Sequence, residues 1–365
     1  MKNTKAEFIL STPELRDDLP FFSKTLGMRL ESIFPADDPA VAVFSGHGLR
    51  VRLERGHKYP PGKIKIFTDD KKKFADGKSN LIAPNGTKIE VCDLNPTLEI
   101  PKTHHSFIVK RLKDEAPWII GRAGMHYRDL IPSRLGGSII ASHIRIPDGG
   151  PVPDMVHYHT VGFQLIYCYK GWVDLVYEDQ GPSFRLHEGN CVIQPPEIRH
   201  KVLYASDNIE VIEIGVPAEH ITTIDHEMSL PNTKFDPNRR YKGQKFVHHK
   251  ANDAHWDNFR INGLISRDTS IAKNTNNVAG VHVVKAKSQS TNWTSHNADI
   301  LFNFVLEGSM TLEGHESKVF KLEPGDAFVI PPEVLTRYTS ISNNLELLEV
   351  SLPGNFETRS SNKNK

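Results

Sequence analysis

Four side chains between residues 157 and 200 have the types and the spacing of metal ligands. His157 and His159 are separated by one residue, so on a β-strand both imidazoles would point to the same face. Gln164 and His200 would reach the same point from neighbouring strands. Because imidazole suits zinc, iron, copper and nickel alike, the ligand type does not select the metal. The sequence therefore predicts one divalent metal held by His157, His159, His200 and Gln164, with Gln164 either a ligand or a hydrogen-bonding neighbour of the ligands.

Such a site would leave most of the metal's charge uncompensated, because imidazoles and an amide are neutral. In the low-dielectric interior of a barrel, the residual charge favours an anionic ligand such as an enolate, a phenolate, a carboxylate or hydroxide. If only the three histidines bind, two open positions could chelate an organic substrate and one could take dioxygen. A metal-bound water acting as a nucleophile is the alternative use. We therefore expect a small anionic organic substrate, with or without dioxygen.

Four further polar side chains are candidates for contacting a substrate or moving protons. They lie on predicted strands close to the metal ligands and are Tyr204, Arg199, Tyr167 and His143. Successive side chains alternate between the two faces of a sheet, so a register error of one residue would turn any of them away from the site.

Short strands separated by turns would position all of these residues. Residues 138–146, 163–169 and 172–177 read as strands, and Gly171 and Gly189 lie at turns. Many short strands at this spacing indicate an all-β barrel or sandwich.

The order of these residues resembles the pattern of the cupin family over roughly residues 138–217. Gln164 stands where that pattern usually has glutamate, Glu197 where it has glycine, and Tyr204 where asparagine is common. The positions that match are Gly150, His157, His159, Gly171, Gly189, Pro195 and His200. The resemblance implies a double-stranded β-helix barrel with the metal inside it.

A second copy of the pattern follows. Residues 189–197 (GNCVIQPPE) recur as 325–333 (GDAFVIPPE), an offset of 325 − 189 = 136 residues, and 208–217 recur as 344–353 at the same offset. Two segments that agree in spacing indicate a duplication, so the chain resembles a bicupin. Across the repeat the four predicted ligands correspond to Thr294, His296, Leu301 and Thr336. One imidazole, two hydroxyls and a leucine would hold a divalent ion poorly, so we expect metal in the first barrel only.

A bicupin with one three-histidine centre is similar in layout to the gentisate and hydroxynaphthoate ring-cleaving dioxygenases, whose motif also lacks the glutamate. This resemblance implies an enzyme, a non-haem iron dioxygenase with Fe(II) as its metal and an aromatic or enolic substrate. Two alternatives stay open. One is a non-oxidative isomerase, hydrolase or lyase that uses zinc, manganese or nickel as a Lewis acid. The other is a non-catalytic protein that binds a small molecule.

The N-terminal residues 8–54 have a β-α-β-β pattern. Apolar residues recur at helical spacing from Leu15 to Leu26, and Gly27 follows as a C-cap would. The segment resembles the first module of the vicinal oxygen chelate (glyoxalase-like) family, and residues 83–90 resemble that family's closing hairpin.

The metal positions of that family would fall on Glu7 and Glu90, but residues 63–67 offer no histidine. Two carboxylates without an imidazole are weak support for a metal site. We interpret this domain as structural or substrate-covering rather than as a second metal centre.

The predicted fold class is thus mainly β, with two cupin barrels preceded by a small α+β glyoxalase-like domain. The predicted boundaries are 1–98 for the glyoxalase-like domain, 99–137 for an ordered connector, 138–218 for the first barrel, 219–275 for a second connector, 276–356 for the second barrel and 357–365 for a disordered tail.

Composition excludes several classes of partner. Lys+Arg number 45 and Asp+Glu 44, a formal charge of +1, so no nucleic-acid partner is expected. No apolar run approaches the roughly 18 residues that span a bilayer, and the N-terminus lacks a secretory signal. The widely spaced Cys92, Cys168 and Cys191 disfavour a disulfide framework. We therefore expect a cytoplasmic protein without a membrane partner, and the cupin resemblance adds the expectation of a homodimer.

Overall fold

The computed structural model describes residues 4–12, 14–20, 22–23, 28–46, 49–56, 63–73, 77–82, 88–114, 118–121, 124–314 and 318–361. Its N-terminal part has the predicted β-α-β-β order, and β1 pairs in parallel with β4. The elements are β1 (Lys5–Thr12), α1 (Leu15–Pro20), β2 (Arg29–Phe34), β3 (Val41–Gly46), β4 (Leu49–Arg55), β5 (Lys63–Thr68), β6 (Asn80–Ile82) and β7 (Lys88–Asp93). We call residues 4–93 the N-terminal module. The predicted helix cap at Gly27 and hairpin turn at 83–87 lie outside the described residues, and the glyoxalase-like assignment stays a prediction.

Short strands follow up to residue 224 and supply most of the first barrel. They are β8 (Ile108–Lys110), β9 (Ile119–Ile120), β10 (His126–Asp129), β11 (Ile140–Ile146), β12 (Gly150–Pro151), β13 (His157–His159), β14 (Phe163–Lys170), β15 (Trp172–Tyr177), β16 (Phe184–His187), β17 (Cys191–Ile193), β18 (His200–Ala205), β19 (Ile209–Val216) and β20 (Thr222–Ile224). Short 3₁₀ turns lie at Leu112–Asp114 and Arg134–Gly137.

The rest of the chain repeats this arrangement as the second barrel. Its elements are β21 (Arg240–Tyr241), β22 (Gln244–Lys245), β23 (Val247–His249), β24 (Asp257–Asn258), β25 (Leu264–Asp268), α2 (Ile271–Asn274), β26 (Gly280–Ala286), β27 (Trp293–His296), β28 (Ile300–Glu307), β29 (Met310–Glu313), β30 (Val319–Leu322), β31 (Ala327–Val329), β32 (Arg337–Thr339), β33 (Glu346–Leu352) and β34 (Thr358–Ser361). A 3₁₀ turn at Ala251–Asp253 follows β23.

Each barrel consists of antiparallel sheets that enclose an apolar interior. In the first barrel, the strand order β16-β15-β18-β13-β20 forms one sheet and β23-β17-β14-β19-β11-β10-β9 the other. In the second barrel, β24-β25-β26-β33-β28-β31-β8 is accompanied by β30-β29-β32 and by the pair β27-β34. The mainly β, two-barrel fold predicted from the sequence is therefore confirmed.

The two barrels exchange strands. β8 precedes the first barrel but pairs with β31 of the second, whereas β23 precedes the second barrel but pairs with β17 of the first. The two exchanged strands begin 247 − 108 = 139 residues apart, so they belong to the duplication. Residues 99–137 and 219–275, predicted as connectors, thus contribute strands to the barrels. Strands of two or three residues are too short for side-chain alternation to reveal them.

The barrels pack against each other through the outer faces of their large sheets. Phe163 and Leu165 of the first barrel share one buried cluster with Phe302 and Phe304 of the second. Two buried arginines occupy equivalent places in this interface. The guanidinium of Arg128 donates to the carbonyl of Gly325 at 2.6 Å, and Arg267 donates to the carbonyl of Gly189 at 2.8 Å. This interface buries every strand residue that faces away from the barrel interiors at this contact.

The N-terminal module is continuous with the first barrel. β2 pairs with β20, so that Ile33 lies opposite Thr222, and the module's strands extend one sheet of the barrel. Arg134 of the barrel also binds Asp37 of the loop between β2 and β3 at 2.6 Å. The module is thus fixed against the barrel by a sheet ladder and an ion pair.

The C-terminal tail differs from the prediction of disorder. Residues 358–361 form β34, which pairs with β27 along four residues of each strand. Paired backbone groups on a sheet edge give this polar segment an ordered position without apolar side chains. In the part of the chain that the structure describes, neither helix has the length and apolarity required to cross a bilayer.

Candidate metal centre

Three imidazoles meet inside the first barrel. His157 and His159 lie on the same face of β13, and His157 is the direct cross-strand partner of His200 on β18. One nitrogen from each ring lies within 4.8 Å of the others, and all three side chains are buried. The ring centroids of His157 and His200 are 4.2 Å apart. The structure thus brings together the three histidines that spacing alone had selected.

Hydrogen bonds orient two of the three rings for metal binding. The Nδ1 atom of His157 lies 2.7 Å from the carbonyl of Met155, and the Nδ1 atom of His200 lies 3.0 Å from the carbonyl of Ile198. A carbonyl only accepts, so Nδ1 carries the proton in both rings and the lone pair is on Nε2. The carboxylate of Asp154 lies 3.5 Å from the same Nδ1 of His157 and strengthens this arrangement.

The third ring is oriented by a hydroxyl. Thr222 Oγ1 lies 3.0 Å from Nδ1 of His159, and the two residues are cross-strand partners. The turn before His200 also contacts this strand, because the amide of Glu197 donates to the carbonyl of His159 at 3.0 Å. Glu197 has φ +66° at the position where the cupin pattern has glycine. The turn therefore keeps its left-handed geometry without glycine, at a cost of roughly 1–2 kcal/mol.

Replacing Thr222 with valine should lower metal affinity about 10–100-fold, because the group that orients His159 is lost while the shape of the side chain is kept. Competition with a chromophoric chelator measures the change. Thr223→Val is the matched control, since Thr223 follows on the same strand and points to the opposite face. Equal affinities for the two variants would contradict the assigned role of Thr222.

The three imidazoles line a cavity of about 690 Å³. Its polar lining comes from Tyr127, Tyr177, Gln194 and Glu213, and the described remainder is apolar: Ala36, Met125, Ile144, Ile146, Ile166, Val173, Leu175, Val202, Ile209 and Val211. Ala36 belongs to the loop between β2 and β3, so the N-terminal module forms part of the cavity wall. That position suits the substrate-covering role expected from the sequence.

Gln164 does not line this cavity, although it is buried beside it. Its side-chain Nε2 donates to Oε1 of Glu213 at 2.5 Å, and its Oε1 is buried with no hydrogen-bond partner among the described residues. Glu213 lies on β19 and does line the cavity. Of the two roles left open for Gln164, the geometry favours the neighbour that holds a carboxylate in place. The carboxylate that the cupin pattern places on β14 is thus supplied here by the adjacent strand.

Two predicted proton-handling residues face the other barrel instead of the metal centre. His143 lies between the cavity-facing residues of β11 and the barrel interface, with Arg128 at 3.0 Å and Glu210 at 2.7 Å from its ring nitrogens. Burial lowers the pKa of His143, and the hydrogen bond with Glu210 opposes that shift. The hydroxyl of Tyr167 lies 3.4 Å from the guanidinium of Arg267, and burial raises its pKa. Both predictions of proximity were wrong by one step of strand alternation.

The other two candidates lie outside the cavity as well. Arg199 pairs with Asp225 at 3.1 Å, and its guanidinium covers the ring of Tyr158. Tyr204 is 43% exposed and stacks on Trp172. Neither lines the cavity, because each points from its strand or turn toward solvent. The placement of both residues near the substrate is therefore corrected.

The sequence analysis missed Glu213, Gln194 and Asp154. Gln194 donates to the hydroxyl of Tyr177 at 2.9 Å, and the Tyr177 ring stacks on His200. The available signal was strongest for Glu213, a charged residue within an apolar strand that recurs as Glu349 in the second repeat.

The second barrel has a different arrangement at the equivalent place. The Nε2 atom of His296 lies 3.1 Å from the carbonyl of Ile330, so this nitrogen carries the proton and is not a ligand in that state. Both oxygens of Glu349 accept from Arg260, each at 2.7 Å. A guanidinium thus balances the carboxylate that corresponds to Glu213.

No family model matches the sequence, and no curated protein matches it. Solved structures match it over most of its length. A variant of salicylate 1,2-dioxygenase from Pseudoaminobacter salicylatoxidans in complex with gentisate is 15% identical, with a TM-score of 0.51 over 72% of this chain and 88% of that chain. Oxalate decarboxylase from Bacillus subtilis is 12% identical, with a TM-score of 0.50 over 71% and 80%. The Lactobacillus farciminis oxalate decarboxylase formate complex is 14% identical, with a TM-score of 0.51 over 72% and 92%. Together with the duplicated barrels, these similarities show that the chain has the bicupin fold.

Proposed function

We propose that this chain is a metal-dependent cupin enzyme, and specifically a non-haem iron dioxygenase that acts on a small aromatic or enolic substrate. The observation that carries the proposal is the convergence of His157, His159 and His200 at the wall of a buried cavity. Buried imidazoles held by hydrogen bonds at Nδ1 are typical of metal ligands.

The donor set fits a divalent transition metal. The hydrogen bonds at Nδ1 put the lone pairs of His157 and His200 on Nε2, and three imidazoles on one side leave the opposite side for other ligands. Such an ion supplies a Lewis-acidic centre with open positions and, if it is iron, a redox partner for dioxygen. Fe(II) is the metal proposed, and zinc, manganese or nickel would serve a non-oxidative reaction.

The protein's own residues supply binding and exclusion of water. Ile144, Ile166 and Val211 form apolar walls around the three histidines, so a bound ring or alkyl chain displaces water from the centre. Tyr177 and Gln194 form a hydrogen-bonded pair beside His200 and offer polar contacts at one end of the cavity. Ala36 places the N-terminal module at the cavity wall.

A non-oxidative reaction is the second candidate. Among the similar folds, salicylate 1,2-dioxygenase is an oxygenase by name and oxalate decarboxylase is not. The bicupin fold therefore supports either class, and the three-histidine donor set without a coordinating carboxylate favours the dioxygenase.

Elemental analysis followed by oxygen-electrode measurements tests the proposal. We expect one iron per chain after anaerobic reconstitution, and oxygen uptake that depends on a catechol, a hydroxybenzene or a 1,3-diketone. Bound zinc, manganese or nickel with turnover in the absence of oxygen would support the second candidate. A chain that retains no metal would contradict both.

A further inference from the structure

We propose that Glu213 determines the substrate class: the cavity admits uncharged molecules with a hydroxyl or enol group and excludes carboxylates. This inference rests on the proposed function, because it concerns the ligand of the same cavity. Glu213 is the specificity-determining residue, and Gln164 is its positioning partner.

The first support is the position of Glu213. It lies on β19 opposite Ile166 and lines the cavity that the three histidines share. Among the described lining residues it is the only carboxylate, and none of them is a lysine or an arginine. A substrate carboxylate in this cavity would meet a like charge without a guanidinium or ammonium partner in that lining. Like charges placed together at a binding site are a strong device for rejecting ligands.

The second support is the way in which Glu213 is held. The amide of Gln164 donates to Oε1 at 2.5 Å, so the carboxylate is fixed in one orientation. Hydrogen bonds that stabilise the charged form of a carboxyl keep it an acceptor. An acceptor fixed in an apolar cavity binds a ligand hydroxyl well, because hydrogen bonds to charged groups are stronger than neutral ones.

The third support comes from the second barrel. The repeat retains the carboxylate as Glu349, and there Arg260 binds both of its oxygens. Residue 349 lies opposite Asn303 in the same register in which Glu213 lies opposite Ile166. The duplication therefore kept the carboxylate in both barrels, but a side chain that neutralises it is present only in the second among the described residues. In the first barrel the carboxylate faces a ligand cavity.

Two ligands of nearly equal size separate the alternatives. Salicylate and 2-hydroxyacetophenone both carry a ring hydroxyl beside a carbonyl, but only salicylate carries a negative carboxylate. Calorimetry with the zinc-loaded chain should show that 2-hydroxyacetophenone binds at least about tenfold more tightly than salicylate. In Glu213→Gln the preference should shrink by about tenfold or reverse, because the repulsion of the carboxylate is removed. Glu210→Gln is the matched control, since Glu210 lies on the same strand and outside the cavity lining.

Several results would overturn the inference. They are a preference of the wild-type chain for salicylate, an unchanged preference in Glu213→Gln, the same change in Glu210→Gln, or no binding of either ligand. Both affinities are also measured on the metal-free chain. Loss of zinc binding would therefore contradict the proposed function while the ligand preference still decides the role of Glu213.

Discussion

His159→Ala is expected to reduce the metal content of the reconstituted chain from one ion to nearly none. The remaining two imidazoles cannot complete the three-nitrogen face, so the loss should exceed the roughly 10–100-fold that follows removal of an orienting neighbour. Oxygen uptake should disappear with the metal. The apolar clusters of the barrel do not include this side chain, so the variant should stay folded. Elemental analysis and circular dichroism on the same sample measure both properties.

His296→Ala is the control that the duplication provides. His296 occupies the equivalent position in the second barrel, is also buried, and contacts the carbonyl of Ile330. Its removal should change stability by an amount comparable with that of His159→Ala but leave one metal ion per chain. Equal metal loss in both variants would indicate a general effect of destabilisation and contradict the assignment of the centre to the first barrel.

Arg260→Met is expected to destabilise the chain by about 3–5 kcal/mol, because it leaves the carboxylate of Glu349 buried without its partner. Glu349 is 2% exposed, and Arg260 also lies over the rings of Phe259 and Phe356. Methionine keeps much of the apolar contact with these rings, so the loss should come mainly from the unpaired charge. Denaturant unfolding monitored by fluorescence measures the change.

The double variant Arg260→Met/Glu349→Gln separates charge from packing. If the unpaired carboxylate causes the loss, the double variant should recover most of the stability, and the interaction between the two changes should be strongly non-additive. Metal content should stay at one ion per chain in all three proteins. Additive losses would show that the ion pair does not have the structural role described for the second barrel.

The sequence was sufficient to predict the barrels and the three metal-binding histidines. The spacing of His157 and His159 places them on one face of a strand in any register, and the repeated GNCVIQPPE and GDAFVIPPE segments identify the duplication independently of any strand boundary. Both inferences depend on differences in residue number. Such differences survive errors in the position of individual elements.

The four candidate catalytic residues required more than spacing. His143 and Tyr167 are buried polar residues on strands beside the centre, but the alternation of β11 and β14 turns them into the interface between the barrels. Whether the outer face of a strand meets solvent or a second barrel is not visible in the strand itself, because both environments follow the same period of two. Arg199 and Tyr204 lie at the same barrel end as His200 but point toward solvent.

The strand exchange and the N-terminal wall could not be derived from local patterns either. β8 and β23 are three residues long, and β2 reaches the barrel by pairing with β20, almost 190 residues later in the chain. Pairing across such separations depends on the complete fold rather than on either segment. The glyoxalase-like character of the N-terminal module, the cytoplasmic location and the homodimer stay predictions.

X-ray absorption at the metal edge of the zinc-loaded chain tests the central claim most directly, because it reports the atoms bound to the ion. The account predicts three imidazole nitrogens at roughly 2.0–2.1 Å, and loss of one of them in His159→Ala. A shell that contains sulfur, or one with fewer than three imidazoles in the wild-type chain, would contradict the assignment of His157, His159 and His200 as the metal ligands.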